Sequence, residues 1–230
     1  MMYKSIFIDL DDTVWAFSDN SHDTFKQMYD KFDYSRFFSS FNHFYSLYSE
    51  RNRELWVDYG QGKITKDELN KERFSHPLRV VGVDDDNLPA MFSKSFFEEI
   101  ALKDKLMPNC REALEYLYTK YDLYILSNGF HGLQQKKIDS SGVSKYFKKI
   151  ILSEDAGVHK PYKEIFDYAL AQTDSQAETS IMIGDSWEND ILGAHDAGLS
   201  QGFYNINSSV NMSFNPTFIF HDWLEISDFL

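Results

Sequence analysis

The chain has 230 residues, of which 43% are hydrophobic and 26% charged, and its formal net charge is −13. This composition is that of a globular protein with a sizeable core, while the negative charge argues against a nucleic-acid polymer as partner, because phosphates require a basic surface. An anionic substrate would need local positive charge, for which a bound cation is the simplest source.

The lone Cys110 rules out an internal disulfide. No apolar run reaches about 18 residues and no basic, apolar leader opens the chain, so we expect a cytosolic protein without membrane contact.

The first predicted element is a short buried strand with two acids behind it. The run that begins at Ser5 is apolar from Ile6 to Ile8 without alternation, and Asp9, Asp11 and Thr13 follow. Ligands bind at the carboxyl ends of the strands in a doubly wound parallel sheet, so we expect Asp9 and Asp11 to project into one crevice. Asp-x-Asp alone is more often a surface turn or a helix cap. Its attachment to a buried strand favours reaction chemistry.

Residues 16–102 are predicted to form an all-helical insertion. Phe37, Phe41, Phe44 and Tyr48 recur at helical spacing and predict one helix. Helical patterns follow at 66–74 and 88–100, with glycines and prolines, Pro77 among them, marking the breaks.

Residues 103–230 alternate between helices and short β-rich runs. Such alternation predicts a parallel sheet with right-handed crossovers, and residues 1–15 would add its first strand. The fold class is therefore α/β, a Rossmann-like doubly wound core with a helical cap inserted after the first strand. The predicted strands are 123–126, 150–152, 181–184, 202–204 and 217–220, and the predicted helices are one from Pro108 through Leu117, 133–140, 165–171 and 191–197, with a polar surface loop at 205–216.

Two later segments are candidate anion sites. Ser127, Asn128 and Gly129 end the strand at 123–126 and offer a hydroxyl, an amide and closely approachable backbone N–H groups. Lys160 precedes Pro161, which is typical of the first turn of a helix, so the ammonium should lie beside a positive helix N-terminus. Taken alone, Ser-Asn-Gly is a common turn sequence. A lysine such as Lys160 is most often a solvated surface residue.

Asp185 and Asp190 follow the strand at 181–184 and add two more acids to the same predicted edge. Together with Asp9 and Asp11 they make four carboxylates against one ammonium, a local charge of −3 that a divalent cation reduces to −1. We therefore expect a bound metal. Oxygen ligands, with neither a cysteine cluster nor paired histidines, favour Mg²⁺ over Zn²⁺.

The motifs Asp9-Leu-Asp11-Asp-Thr13, Ser127-Asn128, Lys160-Pro161 and Gly184-Asp185-(x)4-Asp190 resemble, in this order, the four motifs of the haloacid dehalogenase superfamily of phosphohydrolases. The resemblance implies that Asp9 is the nucleophile forming an aspartyl-phosphate. Asp11 would be the acid and then the base.

The resemblance also implies the remaining site residues. Ser127, Asn128 and Lys160 would hold the phosphoryl oxygens. Asp9, the backbone carbonyl of Asp11, and Asp185 would bind Mg²⁺. Thr13, Gly129 and Asp190 would support them, Asp190 through water or by positioning Lys160.

Further stretches, among them Leu55 to Tyr59, Ser127 to Phe130 and Ile165 to Leu170, resemble the bacterial pyrimidine 5′-nucleotidases. This implies a nucleoside 5′-monophosphate as substrate, with Trp56, Tyr59 or Phe130 offering a flat face to a pyrimidine, although core packing explains each ring equally well. Two alternatives stay open: a phosphatase for another small metabolite, such as a sugar phosphate or phosphoglycolate, or a phosphomutase. A noncatalytic binding module is disfavoured because it would usually have lost part of the motif set, and here the whole set is present. A haloacid dehalogenase is disfavoured because it would not be expected to keep the acid Asp11. The oligomeric state is not predicted.

Overall fold

The structure, a computed structural model, describes residues 3–206 and 210–230. The chain folds into two compact units, one made of Met1–Ser18 and Lys103–Leu230 and the other of Asp19–Leu102. Within the described residues, no helix combines the length and the apolar character needed to cross a bilayer. Part of the predicted loop at 205–216, residues 207–209, lies outside the described residues.

Four helices account for the second unit and the segment leading into it. They are α1 (Phe17–Lys31), α2 (Phe41–Gly60), α3 (Lys66–Val80) and α4 (Asn87–Ile100). Their shared core is aromatic: the Phe25 ring lies 4.1 Å from that of Tyr48 and 4.3 Å from that of Phe96, centroid to centroid. Such ring pairs contribute beyond the area they bury, so the helical spacing of phenylalanines in the sequence corresponds to real helix packing.

Two predicted helix boundaries in this unit are wrong. The helix expected to include Phe37 begins at Phe41, because the Ser40 hydroxyl accepts a hydrogen bond from the His43 N–H and caps the helix there. Pro77 was expected to mark a break, but it lies inside α3. Pro77 is buried with its neighbour Leu78, so packing outweighs the hydrogen bond that a proline cannot donate.

The other unit is built on a six-stranded parallel sheet, which confirms the predicted α/β class. Its strands are β1 (Ser5–Ile8), β2 (Asp122–Ser127), β3 (Lys149–Leu152), β4 (Ser180–Gly184), β5 (Ser200–Tyr204) and β6 (Phe218–Phe220), in the order β3-β2-β1-β4-β5-β6. β1 is central and buried on both faces, as expected for a run that is apolar without alternation. The strand order reverses beside β1, where doubly wound folds bind their ligands.

Helices connect the strands. They are α5 (Cys110–Leu117), α6 (Leu133–Ser140), α7 (Ser153–Ala156), α8 (Lys163–Thr173), a π-helical segment at Trp187–Leu192 and α9 (Gly193–Asp196), which continues it. The α5 prediction was wrong at its start, since Pro108 lies in the turn before Cys110 and not in the first helical turn. On one face of the sheet, Phe166 of α8 and Ala194 of α9 belong to the core cluster that contains Phe7 of β1.

Candidate active site

The ends of β1 and β4 lie side by side. Ile8 pairs with Ile183, and the Asp9 N–H donates to the Ile183 carbonyl at 2.9 Å. Asp9 and Asp185 thus leave adjacent strands at nearly the same level. Together with Asp190 they offer three carboxylate oxygens that all lie within 4.8 Å of one another. Three hard oxygen donors at this spacing are the ligands that Mg²⁺ prefers.

The ammonium of Lys160 is buried among these acids. Its Nζ lies 2.6 Å from Asp9 Oδ1, 2.6 Å from Asp190 Oδ1 and 2.8 Å from the Leu126 carbonyl oxygen. All three donors of the ammonium are therefore engaged, and the residue is only 4% exposed. Burial lowers the pKa of Lys160, but the charges of Asp190 and Asp9 outweigh it and raise that pKa overall.

The expected helix N-terminus does not explain the position of this charge. α8 begins at Lys163 after Tyr162, so Pro161 lies outside its first turn. The Lys160 ammonium is held instead by two carboxylates and a strand carbonyl. The prediction that Pro161 opens the helix was wrong because Pro161 lies in a turn before it, which the Tyr162 N–H closes by donating to the His159 carbonyl at 3.0 Å.

The acids at this edge resist full ionisation. Burial raises the pKa of Asp9 well above its usual range, and the negative charges of Asp190, Asp185 and Asp11 add to the effect against the attraction of Lys160. Burial, followed by repulsion from Asp190, raises the pKa of Asp185 to about 7. One ammonium thus leaves an excess of negative charge, which a divalent cation would relieve. The donor set and the charge both fit a magnesium ion.

The backbone around Asp190 is adapted to its buried carboxylate. Asp190 is fully buried, and its Oδ2 accepts the Ser186 N–H at 3.0 Å while Oδ1 contacts Lys160. A Cβ atom on Gly184 would lie 2.2 Å from Asp190 Oδ2. The glycine at the end of β4 is required because any larger residue would displace the acid.

Thr13 connects the first strand end to Asp185. Its hydroxyl donates to Asp185 Oδ1 at 2.9 Å and accepts the Asp185 N–H at 3.1 Å. Thr13, which forms both of these hydrogen bonds, is fully buried. Thr13 therefore fixes the orientation of the Asp185 carboxylate.

Asn128 interacts with the Lys160 backbone. Its side-chain amide donates to the Lys160 carbonyl at 3.0 Å, and its Oδ1 accepts the Lys160 N–H at 2.8 Å. Both polar atoms of the amide thus hold the lysine segment to the end of β2. That Asn128 also contacts a phosphoryl oxygen stays a prediction.

The carboxylate of Asp11 contacts different residues from those that contact the carboxylate of Asp9. Its Oδ1 lies 2.6 Å from the Nζ of Lys137, and its Oδ2 accepts a hydrogen bond from Gln134 Nε2 at 2.9 Å. Gln134 Nε2 also lies 2.8 Å from the Ser127 hydroxyl. A Cβ on Gly129 would lie 2.1 Å from that amide nitrogen, so this glycine makes room for Gln134.

Sequence reasoning missed Gln134 and Lys137 as site residues. They lie three positions apart on α6 and share one buried face. The pattern Gln134-Gln135-Lys136-Lys137 carries no signal that distinguishes the inward glutamine and lysine from their exposed neighbours. The one sequence feature that could have pointed to Gln134 and Lys137 is that α6 follows the Ser-Asn-Gly turn closely in the chain.

Asp12, the third acid of the first motif, has a local role. It adopts a left-handed conformation with φ of 57°, which aspartate tolerates better than most residues. Its carboxylate accepts hydrogen bonds from the Ser18 N–H at 2.8 Å and the Ser18 hydroxyl at 2.6 Å. Asp12 thus caps the first turn of α1.

The three aromatic candidates for a base platform differ in exposure. In the helical unit, Trp56 and Tyr59 are half-buried, and their ring centroids lie 5.8 Å apart in an edge-to-face arrangement. Phe130, in the sheet unit, is buried. Their contact with a pyrimidine stays a prediction.

The order and geometry of these motifs match a known family. A family model described as haloacid dehalogenase-like hydrolase covers residues 3–198. The chain belongs to the haloacid dehalogenase-like hydrolase family. The family resemblance seen in the four motifs is thereby confirmed, and the protein is a hydrolase of this family.

Two curated relatives cover most of the chain. Pyrimidine 5′-nucleotidase YjjG of Escherichia coli is 33% identical over 89% of this chain and 87% of its own length. Pyrimidine 5′-nucleotidase PynA of Streptococcus pneumoniae is 26% identical over 100% of this chain and 96% of its own. The crystal structure of the HAD-hydrolase YfnB of Bacillus subtilis bound to magnesium matches with a TM-score of 0.85 and 28% identity, over 99% of this chain and 98% of that one.

Proposed function

We propose that the protein is a Mg²⁺-dependent phosphomonoesterase that works through an aspartyl-phosphate on Asp9. The observation that carries this proposal is the buried Lys160 ammonium, 2.6 Å from both Asp9 and Asp190, within the cluster that also contains Asp185. Phosphoryl transfer depends mainly on positioning and on neutralising charge. A buried cation among three acids meets both needs.

In the first step a carboxylate oxygen of Asp9 forms a bond to phosphorus while the bond from phosphorus to the ester oxygen breaks. Asp11 gives its proton to that leaving oxygen. In the second step Asp11 takes a proton from water, the water oxygen bonds to phosphorus, and the bond to Asp9 breaks to release inorganic phosphate. Lys160, Ser127 and Asn128 would hold the phosphoryl oxygens, and for this Lys160 would exchange one of the three contacts that engage its ammonium here.

Asp9, Asp185 and the Asp11 backbone carbonyl would hold Mg²⁺, with Asp190 as a supporting acid. The ion would supply positive charge against the phosphoryl oxygens. The magnesium bound to the relative YfnB supports the choice of this ion.

The proposed substrate is a pyrimidine nucleoside 5′-monophosphate. We also propose that residues 16–102 form a cap domain that selects this substrate, and that residues 1–15 and 103–230 form the core domain. The names of YjjG and PynA support the nucleotide. A sugar phosphate or another small phosphate ester is the second candidate, since a glyceraldehyde 3-phosphate phosphatase of Methanothermobacter thermautotrophicus is 36% identical over 40% of this chain.

Phosphate release from nucleoside monophosphates, sugar phosphates and phosphoglycolate tests the proposal directly. We expect Asp9→Asn to abolish release while the thermal unfolding transition persists. Asp12→Asn is the matched control, because asparagine keeps an acceptor for Ser18 and tolerates the left-handed backbone. Hydrolysis that persists in Asp9→Asn, or after exhaustive EDTA treatment, would contradict the mechanism. An isomerised hexose phosphate in place of inorganic phosphate would identify a phosphomutase.

A further inference from the structure

Two buried side chains of α6 hold both oxygens of the Asp11 carboxylate. Lys137 Nζ lies 2.6 Å from Oδ1, and Gln134 Nε2 lies 2.9 Å from Oδ2. Gln134 is 0% and Lys137 1% exposed. Lysine is almost never buried to this degree unless its charge is paired. The contact with Asp11 is therefore a fixed part of this site and not a surface ion pair.

Gln134 also sets the hydrogen bonding of Ser127. The Ser127 Oγ accepts from Gln134 Nε2 at 2.8 Å and from the Gly129 N–H at 3.1 Å. A hydroxyl has two acceptor sites and one proton to donate. With both acceptor sites engaged, the Ser127 proton is directed to a third group. A residue that holds a phosphoryl oxygen must donate a hydrogen bond to it, so this direction of the hydroxyl proton suits the proposed role of Ser127.

The orientation of the Gln134 amide follows from its neighbours. While Asp11 is ionised its oxygens only accept hydrogen bonds, so in that state the Gln134 atom that faces Asp11 is the NH₂ group and not the carbonyl oxygen. One nitrogen thus links the Asp11 carboxylate to the Ser127 hydroxyl. Since both are proposed to contact the phosphate ester, Gln134 fixes their spacing.

Aromatic rings hold the Lys137 ammonium in place on its other sides. Nζ lies 4.7 Å from the centroid of the Trp15 ring and 5.1 Å from that of Phe17. Ring faces attract a cation without accepting its proton. The ammonium is therefore oriented toward Asp11, its one carboxylate partner within ion-pair distance in the described part of the chain.

We propose that Gln134 and Lys137 are positioning residues that hold the Asp11 carboxylate at the angle from which it exchanges a proton with the leaving oxygen. This inference rests on the proposed function of Asp11 as acid and base. In this proposal both side chains act through Asp11 and not on the ester itself. Their loss should therefore slow those esters most that depend on a proton donated to the leaving group.

Phenyl phosphate and 4-nitrophenyl phosphate make a matched pair of substrates. They have nearly the same shape, but the nitro group stabilises the departing phenolate, which then has little need for a proton. General acid catalysis contributes about 10²- to 10⁴-fold. We expect Lys137→Met and Gln134→Met to lower kcat/KM for phenyl phosphate about 100-fold and for 4-nitrophenyl phosphate about 10-fold or less.

Gln135→Met and Lys136→Met are the matched controls, because they remove the same chemical groups from exposed positions of the same helix. Both should leave the two kcat/KM values unchanged. Lys137→Arg keeps a cation in the pocket and should restore part of the phenyl phosphate activity. Gln134→Met conserves side-chain volume closely, so it decides the matter if Lys137→Met does not fold.

Equal losses on both substrates in a folded Gln134→Met variant, or values like those of the controls, would overturn the positioning role. The phosphatase proposal would survive either result, since it depends on the loss of turnover in Asp9→Asn. Turnover retained in Asp9→Asn would instead remove the proposed function, and with it the role of Asp11 that this inference assumes.

Discussion

The two units of the molecule bury positive charge in contrasting ways. In the sheet unit, Lys160 is held between the carboxylates of Asp9 and Asp190. In the helical unit, Arg73 is 6% exposed and lies 5.2 Å from the ring centroids of both Phe74 and Phe97. Its guanidinium donates to the amide oxygens of Asn70 at 2.5 Å and Asn52 at 3.4 Å. Among the described residues, no carboxylate lies within ion-pair distance of Arg73.

We interpret this difference as one between a charge kept for the proposed function and a structural charge. Taking ions out of water costs free energy that an ion pair recovers only in part. At the sheet edge the cost is larger, because burial and then the repulsion among three acids raise the pKa of Asp9 and of Asp185. Packing alone would favour fewer charges. An arrangement this unfavourable is typical of sites that bind a charged ligand, whereas Arg73 contacts rings, amides and the Tyr48 side chain.

The largest effect is expected for Lys160→Met. Removing one partner of a buried ion pair costs about 3–5 kcal/mol, and here it leaves both Asp9 and Asp190 without their cation. Phosphatase activity should fall at least about 100-fold, as for the loss of one preorganised donor at a transition state. Activity assays and urea unfolding measure the two effects.

Lys163→Met is the control for Lys160→Met. Lys163 forms an exposed ion pair with Asp167 on α8, and such pairs contribute about 0–1 kcal/mol. If both lysine variants lost the same stability and activity, the distinction between a paired buried charge and a surface charge would have no consequence at this site.

A smaller loss is expected for Gly184→Ala. The added Cβ would lie 2.2 Å from Asp190 Oδ2 and would push that carboxylate away from Lys160. Overpacking of this kind costs about 1–3 kcal/mol, which a shift of the thermal midpoint would report. Gly60→Ala is the control at the end of α2, where a Cβ meets nothing within 4 Å. A midpoint as high for Gly184→Ala as for Gly60→Ala would contradict the close packing of Asp190.

Magnesium and pH should act together on the acid cluster. The pKa of Asp185 is about 7 in the folded protein and about 3.9 in an unfolded chain. Between these values the folded state binds more protons, so the metal-free protein loses stability as pH rises from about 4 to about 7. Mg²⁺ binds the ionised carboxylate and opposes this loss. Mg²⁺ should therefore raise the thermal midpoint more at pH 8 than at pH 5.5.

Asp185→Asn provides the test of that assignment. It should lose most of the Mg²⁺-dependent shift, while Asp23→Asn, an exposed position on α1, should keep it. A shift that is the same at both pH values, or that survives in Asp185→Asn, would show that protons and the metal do not compete at this carboxylate.

The sequence was sufficient to predict the sheet and its edge for a simple physical reason. Asp9, Ser127 and Asp185 each follow an apolar run, and parallel strands bring such ends together whatever the details of packing. The α/β class was confirmed for the same reason.

The residues that sequence reasoning missed depend on packing in three dimensions. Nothing in the local pattern shows that Lys137 is buried and Lys136 exposed, because the two differ only in which face of α6 is buried. Pro77 inside α3 was likewise unpredictable, since local propensity places a break there and tertiary packing overrides it.

The smallest effect is expected for Arg73→Met, which tests the structural side of the comparison. Methionine preserves most of the length of the side chain and can pack against Phe74 and Phe97, and it removes a charge that no carboxylate of the described residues pairs at ion-pair distance. Replacing a buried ion by an apolar residue is often neutral or stabilising, so we expect the free energy of unfolding to stay equal or rise by about 1 kcal/mol. Asn70→Leu should then be tolerated in the Arg73→Met background but not alone, where it would leave the guanidinium without its shortest hydrogen bond. A loss of more than about 2 kcal/mol in Arg73→Met would mean that this guanidinium, like the Lys160 ammonium, stabilises the unit around it through its charge.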